Sequence, residues 1–304
     1  MAANASTSAD SELLFTRILD APRELVFKAW TDPRHLTHWW GPTGFTTTVH
    51  EMDLRPGGIW RLTMRGPDGR DYNNRIVFQE VLKPERLVYR HEPEEGSEPV
   101  RFETTVTFAA EGCQTRLTMR MLFPSEKSRD HVVEKYGAVE GGKQTLARLE
   151  AHLPSMVVKE LITTRIFDAP RELVFQAWTE RERLQRWWGP RGFTVPRCDV
   201  DARPGGAIRI DMRAPNGVVY PMIGTYLEIA APERLVFTSS ALDRNDEALF
   251  EVLNVVSFEA EGEKTKLTLR AIVTSATSQA AKHLDGMNQG WSETLDRLGE
   301  EVAR

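Results

Sequence analysis

DAPRELVFKAWTDPRHLTHWWGP, residues 20–42, returns as DAPRELVFQAWTERERLQRWWGP at residues 168–190. Sixteen of the 23 positions are identical, at an offset of 148 residues. The same offset relates RPGG at 55–58 to 203–206 and PERLV at 84–88 to 232–236. It slips to 150 at Phe108/Phe258 and to 149 at TLARL/TLDRL (145–149 and 294–298), as small insertions in surface hairpins would produce. A period this long is a whole domain and not a solenoid unit, so the chain is a tandem duplication. The expected organisation is a disordered lead over 1–11, a first domain over 12–153 and a second over 154–304. The linker AHLPSM (151–156), with Pro154 stopping the helix before it, is short enough to favour a fixed pairing of the domains, like a dimer within one chain.

The bulk numbers exclude several classes of partner. The 304 residues carry a net charge of −5, with 20 Lys/Arg and 22 Asp/Glu in residues 1–153 and 19 and 22 in the remainder. Neither half has a basic field suited to nucleic acid or an anionic membrane. No apolar run approaches the roughly 20 residues that span a bilayer. The opening MAANASTSAD has neither the basic nor the apolar region of a secretory signal. Cys113 and Cys198 fall at unrelated positions in the two halves, which gives no disulfide framework and no CxxC metal site. The expected location is cytoplasmic.

Period and punctuation give the elements of one copy. LLFTRIL (13–19) and VVKELITTRIF (157–167) alternate as strands. DAPRELVFKAW starts a helix, with Asp20 the candidate N-cap and Pro22 in the first turn. A second short helix (33–39, 181–187) ends before Gly-Pro. GFTTTVHEMDL, RPGG and IWRLTMR read as a hairpin, and GPDG (66–69) and APNG (214–217) as turns between strands. PERLVYR, RFETTVTF and TRLTMRMLF complete a meander, and a long helix closes each copy at about 127–152 and about 277–302. The order β-α-α-β-β-β-β-β-β-α predicts an α+β fold in which a curved antiparallel sheet buries one face against the last helix.

This order, with DAPRELVFKAWTDP, WWGP, PGG, PDG, PERLV and the terminal GMNQGWSETLDRL at 286–298, resembles the activator of heat-shock-protein-90 ATPase homologue-like family. That family lies in the START/birch-pollen-allergen-like (SRPBCC) superfamily of helix-grip folds, and the resemblance covers roughly 12–152 and 157–302. It implies two tandem START-like domains, each with a cavity between sheet and terminal helix. The superfamily hosts lipid carriers, hormone receptors, polyketide cyclases, self-sacrificing resistance proteins and co-chaperone domains, so the fold alone does not select a function.

Strand alternation then nominates cavity-lining residues. In the first copy these are Trp60, Met64, Phe102 and Met119; in the second, Met212, Phe250, Asn254 and Leu269. Ile208 is the counterpart of Trp60. Asn254 needs a partner, which could be ligand, water or backbone. Adjacent helical residues lie about 100° apart, so one tryptophan of each WW pair packs under the sheet edge, while Trp40 and Trp188 are candidates for the cavity mouth. The last helices disagree: GAVEGG (137–142) stands where the second copy has GMNQGW (286–291), setting Gly142 against Trp291, with Met287 a further lining candidate. A missing buried Trp leaves a space that a helix shift, another side chain or a ligand must fill. The expectation is a first cavity more open near Gly142.

No motif asks for catalysis. His35, His38 and His50 align with Arg183, Arg186 and Cys198, which argues for surface histidines and against a metal site. No nucleophile elbow, GxGxxG or HExxH occurs, and Glu80 and Glu228 read as solvated strand-end carboxylates. No catalytic residue, metal or cofactor is expected. The reading is non-catalytic binding of a small hydrophobic or aromatic ligand in one or both domains. The alternatives are a co-chaperone-like module that activates a heat-shock ATPase, and an enzyme of the polyketide cyclase/dehydratase type, which needs a buried acid/base pair.

Overall fold

A computed structural model of the chain describes residues 4–6, 11–93 and 100–304. It divides into two units, Met1–Ser155 and Met156–Arg304. The first unit runs β1 (Asn4–Ser6), β2 (Glu12–Leu19), α1 (Arg23–Thr31), α2 (Pro33–Trp39), β3 (Thr46–Met52), β4 (Ile59–Arg65), β5 (Asp71–Leu82), β6 (Arg86–Glu92), β7 (Phe102–Glu111), β8 (Gln114–Leu122), α3 (Glu126–Tyr136) and α4 (Ala138–His152). A 3₁₀ turn, Leu153–Met156, leads into the second: β9 (Lys159–Phe167), α5 (Arg171–Thr179), α6 (Arg181–Trp187), β10 (Thr194–Val200), β11 (Ala207–Arg213), β12 (Val219–Ala230), β13 (Arg234–Leu242), β14 (Ala248–Glu261), β15 (Lys264–Ala276), α7 (Ala281–Asp285) and α8 (Met287–Val302).

Both sheets are antiparallel, ordered β1-β2-β8-β7-β6-β5-β4-β3 and β10-β11-β12-β13-β14-β15-β9. The chain is thus α+β with two helix-grip-like units. The extra strand corrects one expectation: Asn4–Ser6 of the lead pairs with Leu14–Thr16, while residues 1–3 and 7–10 lie outside the described residues. An edge strand offers unpaired backbone groups, and the lead uses those of β2.

Two helix readings are also corrected. α1 starts at Arg23 with Pro22 at the cap position and no side-chain cap, so Asp20 is not its N-cap. Instead, Asp32 caps α2 by accepting from the Arg34 N–H at 2.9 Å. The long terminal helices are each broken by glycine: Gly137, at φ +61°, divides α3 from α4, and Gly286 divides α7 from α8. Left-handed backbone at Gly137 ends one helix and lets the next set off in a new direction.

The repeated motifs are structural fasteners. In each WW pair the first tryptophan, Trp39 or Trp187, is fully buried, and its indole N–H donates to Ala29 O (3.1 Å) or Ala177 O (2.8 Å) on the preceding helix. The PGG turns need their last glycine, because a Cβ on Gly58 or Gly206 would lie 2.0 or 1.9 Å from the carbonyl oxygen of Asp53 or Asp201. The WWGP turn is gathered by an arginine from the last helix. Arg148 Nη1 donates to the carbonyls of Gly41 and Pro42 at 2.8 Å and Phe45 at 3.2 Å, and Nη2 to His38 O at 3.1 Å. Arg297 repeats this on Gly189 (2.8 Å), Pro190 (3.1 Å), Trp188 (3.3 Å) and Arg186 (2.8 Å). These include last-turn carbonyls that a helix leaves without intrahelical partners.

Arg297→Ala is therefore expected to cost about 2–3 kcal/mol, and Arg297→Lys to recover less than half of that, since an ammonium cannot span the same carbonyls as a planar fork. Urea denaturation of the full chain measures both.

Candidate functional site

The inner face of the second sheet is apolar because β11–β15 present alternate residues to α5, α6 and α8. That face bounds a small cavity of about 10 Å³ lined by Trp178, Leu184, Trp188, Ile208, Ile210, Tyr226, Leu235 and Phe237. That is space for roughly one water molecule. No carboxylate or imidazole lines it. Tyr226 supplies the hydroxyl, 3.5 Å from Trp178 O, and burial raises its pKa above the ordinary tyrosine value. Cys198, in the same core, is fully buried, and desolvation pushes its thiol up to about 11, leaving it protonated and unreactive.

Trp291 of α8 covers this region. Its indole stacks on Trp178 (6.1 Å, 19°) and meets Trp188 edge-on (5.7 Å, 80°), yet it remains partly exposed. Val252, Ala271 and Val273 form a separate small cluster, packed by Leu161, Phe250, Leu284 and Met287. Between the two clusters sits Asn254, 1% exposed, whose Nδ2 donates to Ser239 Oγ at 2.9 Å while its Oδ1 has no hydrogen-bond partner.

The sequence-nominated residues therefore scatter. In the second unit Trp188 lines the cavity and Trp291 lies on its aromatic wall. Phe250 and Met287 belong to the small cluster, Leu269 is deep core, and Met212 lies under Gly189, its Sδ 3.2 Å from where a Cβ would be. In the first unit Trp40 contacts Trp60 (4.7 Å), Met64 lies under Gly41, Phe102 stacks on His91 (4.0 Å), and Met119 is buried beside Phe15 in the ladder. Sequence reasoning placed Ile208 and Ile210 on an inward face without choosing them as lining candidates, and it did not nominate Trp178, Leu184, Tyr226, Leu235 or Phe237. The available signal was the alignment of Trp60 with Ile208, which removes an indole from one copy.

The sequence profile described as Activator of Hsp90 ATPase homolog 1-like protein matches residues 20–154 and again 168–303. The chain belongs to this family. Among solved structures, a protein from Arthrobacter aurescens is similar at 25% identity, over 50% of this chain and 91% of its own, with a TM-score of 0.47. One from Nitrosomonas europaea is 28% identical over 49% and 96%, with a TM-score of 0.42. The AHSA1 protein from Silicibacter pomeroyi is 25% identical over 48% and 98%, also at 0.42. No curated protein matches the chain.

The two Hsp90-activator-homologue domains fill the same interior differently. A Cβ on Gly142 would lie 2.6 Å from the Phe15 ring, so in the first domain Phe15 occupies the space that the missing tryptophan leaves. The expected opening near Gly142 is closed by that ring. The second domain reverses the pair, with Thr163 at the strand position and Trp291 on the helix. Trp60, fully buried and stacked parallel to Phe78, becomes Ile208, and the cavity lies where its ring would be.

A second exchange lies where α2 meets α4. His35 Nδ1 is 3.3 Å from His152 Nε2, and His38 stacks on His152 at 5.3 Å. Their counterparts are Arg183 and Arg186, both bonded to the buried Glu301. An attractive cluster in one domain is a row of imidazoles in the other. Burial, reinforced by the neighbouring histidines, pushes His152 down to about 4, and burial also lowers His35. His91 is pushed down to about 3 by the same cause. The surroundings of all three penalise the charged ring, so their contribution to stability is intact above the ordinary value of 6.5 and is lost as pH falls toward the lowered one.

Two outcomes follow. The thermal midpoint of the first domain is expected to drop between about pH 6.5 and about pH 4, and His152→Glu to shrink that drop by giving His35 and His38 a counter-charge; melting curves across the range measure it. Trp291→Gly should destabilise the second domain by about 3–5 kcal/mol, with added indole restoring part of the loss. Adding Thr163→Phe should restore stability without indole and abolish its effect, which thermal shift measures.

Proposed function

We propose that the second domain binds a small apolar or aromatic molecule between its sheet and α8, without catalysing a reaction on it. The observation that carries this is the replacement of Trp60 by Ile208, which leaves an apolar cavity under an aromatic wall of Trp178 and Trp188. The cavity holds about one water, so a ligand enters by taking the place of Trp291, the partly exposed indole stacked on that wall. Indole-sized ligands fit the vacated volume by construction. The first domain, filled by Trp60 and Phe15, acts in this reading as the packed partner. A lining with no carboxylate or imidazole, whose one titratable group is a tyrosine raised by burial, lacks the poised acid/base pair that cyclase chemistry needs.

The ATPase-activator reading rests on the family description, and it predicts stimulated ATP turnover of an Hsp90-type chaperone with no dependence on the cavity. Among the described residues no helix is long and apolar enough to cross a membrane. Neither cysteine is in a disulfide, which fits a cytoplasmic, reducing setting.

The test is native mass spectrometry of the purified chain and of Ile208→Trp, with and without 2-methylnaphthalene. A bound mass in the wild type that Ile208→Trp loses, while its melting temperature holds or rises, is the expected result. Equal uptake by both proteins, or none by the wild type, overturns the proposal.

A further inference from the structure

Two buried oxygens occupy the same place in the two domains. Thr104 on β7 and Asn254 on β14 are both 1% exposed, and cross-strand pairing places them alike: Thr104 between Tyr89 and Met121, Asn254 between Phe237 and Ala271. Thr104 Oγ1 and Asn254 Oδ1 each lack a hydrogen-bond partner. Another buried pair at equivalent positions, Thr115 and Thr265, is satisfied by the carbonyls of Ala21 and Ala169 at 2.6 and 2.7 Å. A buried acceptor left without a donor is costly and calls for an explanation.

The orientation of the Asn254 amide is set by its surroundings. Nδ2 lies 2.9 Å from Ser239 Oγ and 3.5 Å from each of two backbone carbonyls, Phe237 O and Val252 O. Carbonyls accept and cannot donate, so the NH₂ must face the sheet and the carbonyl oxygen must turn off it. Oδ1 is therefore a buried acceptor without a donor, turned toward the interior of the domain. Its cross-strand neighbour is the methyl side chain of Ala271, where the first domain has Met121.

The ladder gives the span. Leu235 and Phe237, which both line the cavity, head two neighbouring rows of the ladder: Leu235 pairs with Val256 and Phe237 with Asn254, two residues along each strand. The two rows are about 6.6 Å apart along the strands, close to the long axis of a bicyclic ring, and Asn254 stands at one end of that interval, opposite Phe237.

We infer that Asn254 is the polar end of the second domain's ligand site, so that the ligand is an indole-sized apolar molecule carrying one hydrogen-bond donor, a hydroxyl or N–H, at the end of its long axis. This rests on the binding reading above and adds the chemistry of the ligand. Ser239 is the positioning residue that keeps the acceptor turned inward.

The test uses a matched pair of probes, 2-naphthol and 2-methylnaphthalene, which share a ring system and differ by a donor. Calorimetric titration of the full chain gives the ratio of their affinities, and Asn254→Val gives the ratio without the acceptor. The expected result is that Asn254→Val still binds 2-methylnaphthalene and lowers the naphthol preference by about tenfold. Ser239→Ala, which keeps the acceptor and frees its orientation, should lower the preference by a smaller factor. A ratio unchanged by Asn254→Val overturns this inference and leaves the binding reading standing. Failure of the wild type to bind either probe overturns both.

Discussion

Each domain is held in register by one guanidinium. Arg148 on α4 and Arg297 on α8 each collect backbone carbonyls from the WWGP turn, so the last helix and the turn cannot move independently. Those carbonyls sit where a helix has just ended and no strand has begun, and without a donor they would be desolvated for nothing. The Trp-Trp pair, the Gly-Pro break and the arginine are one device: the first tryptophan anchors to the previous helix, and the arginine fixes where the second one goes. The aromatic wall of the candidate site exists because Trp188 is held there.

Around that frame the interior is filled by exchange between elements. Phe15 reaching from the strand toward a glycine helix and Trp291 reaching from the helix toward a threonine strand are two solutions to one volume. Close packing explains why they come as pairs, since a large side chain on both elements would clash and a small one on both would leave a void. Trp60 against Ile208 is not offset in that way: the other lining residues that differ, Leu62/Ile210, Phe78/Tyr226 and Tyr89/Phe237, nearly conserve volume, and the void there is the consequence. The asymmetry that matters for function is thus an uncompensated substitution. The compensated one is the one that stands out in an alignment of the two halves.

The charge exchange at the α2–α4 and α6–α8 seams follows a similar logic with a different outcome. Arg183 and Arg186 each pair with the Glu301 carboxylate between them. His35 and His152 resist protonation, because burial and the imidazoles beside them penalise a charged ring in this partly buried seam. The two domains share a backbone and differ in how they respond to acid.

The sequence by itself determined the duplication, the order of elements and the inward faces of the strands, because offset, period-two alternation and Gly-Pro punctuation are local properties of the chain. It also marked Asn254 as a polar residue in an apolar row that needed a partner. It placed Asp20 as a helix cap and the terminal helices as unbroken, since side-chain type alone does not say that Pro22 takes the cap position or that Gly137 adopts a left-handed backbone. Only the tertiary structure decided that Phe15 closes the space at Gly142, that Arg148 and Arg297 hold the turns, and that the cavity lies at Ile208. Each of those pairs residues far apart in sequence, and whether a missing side chain leaves a hole depends on what reaches into it from another element.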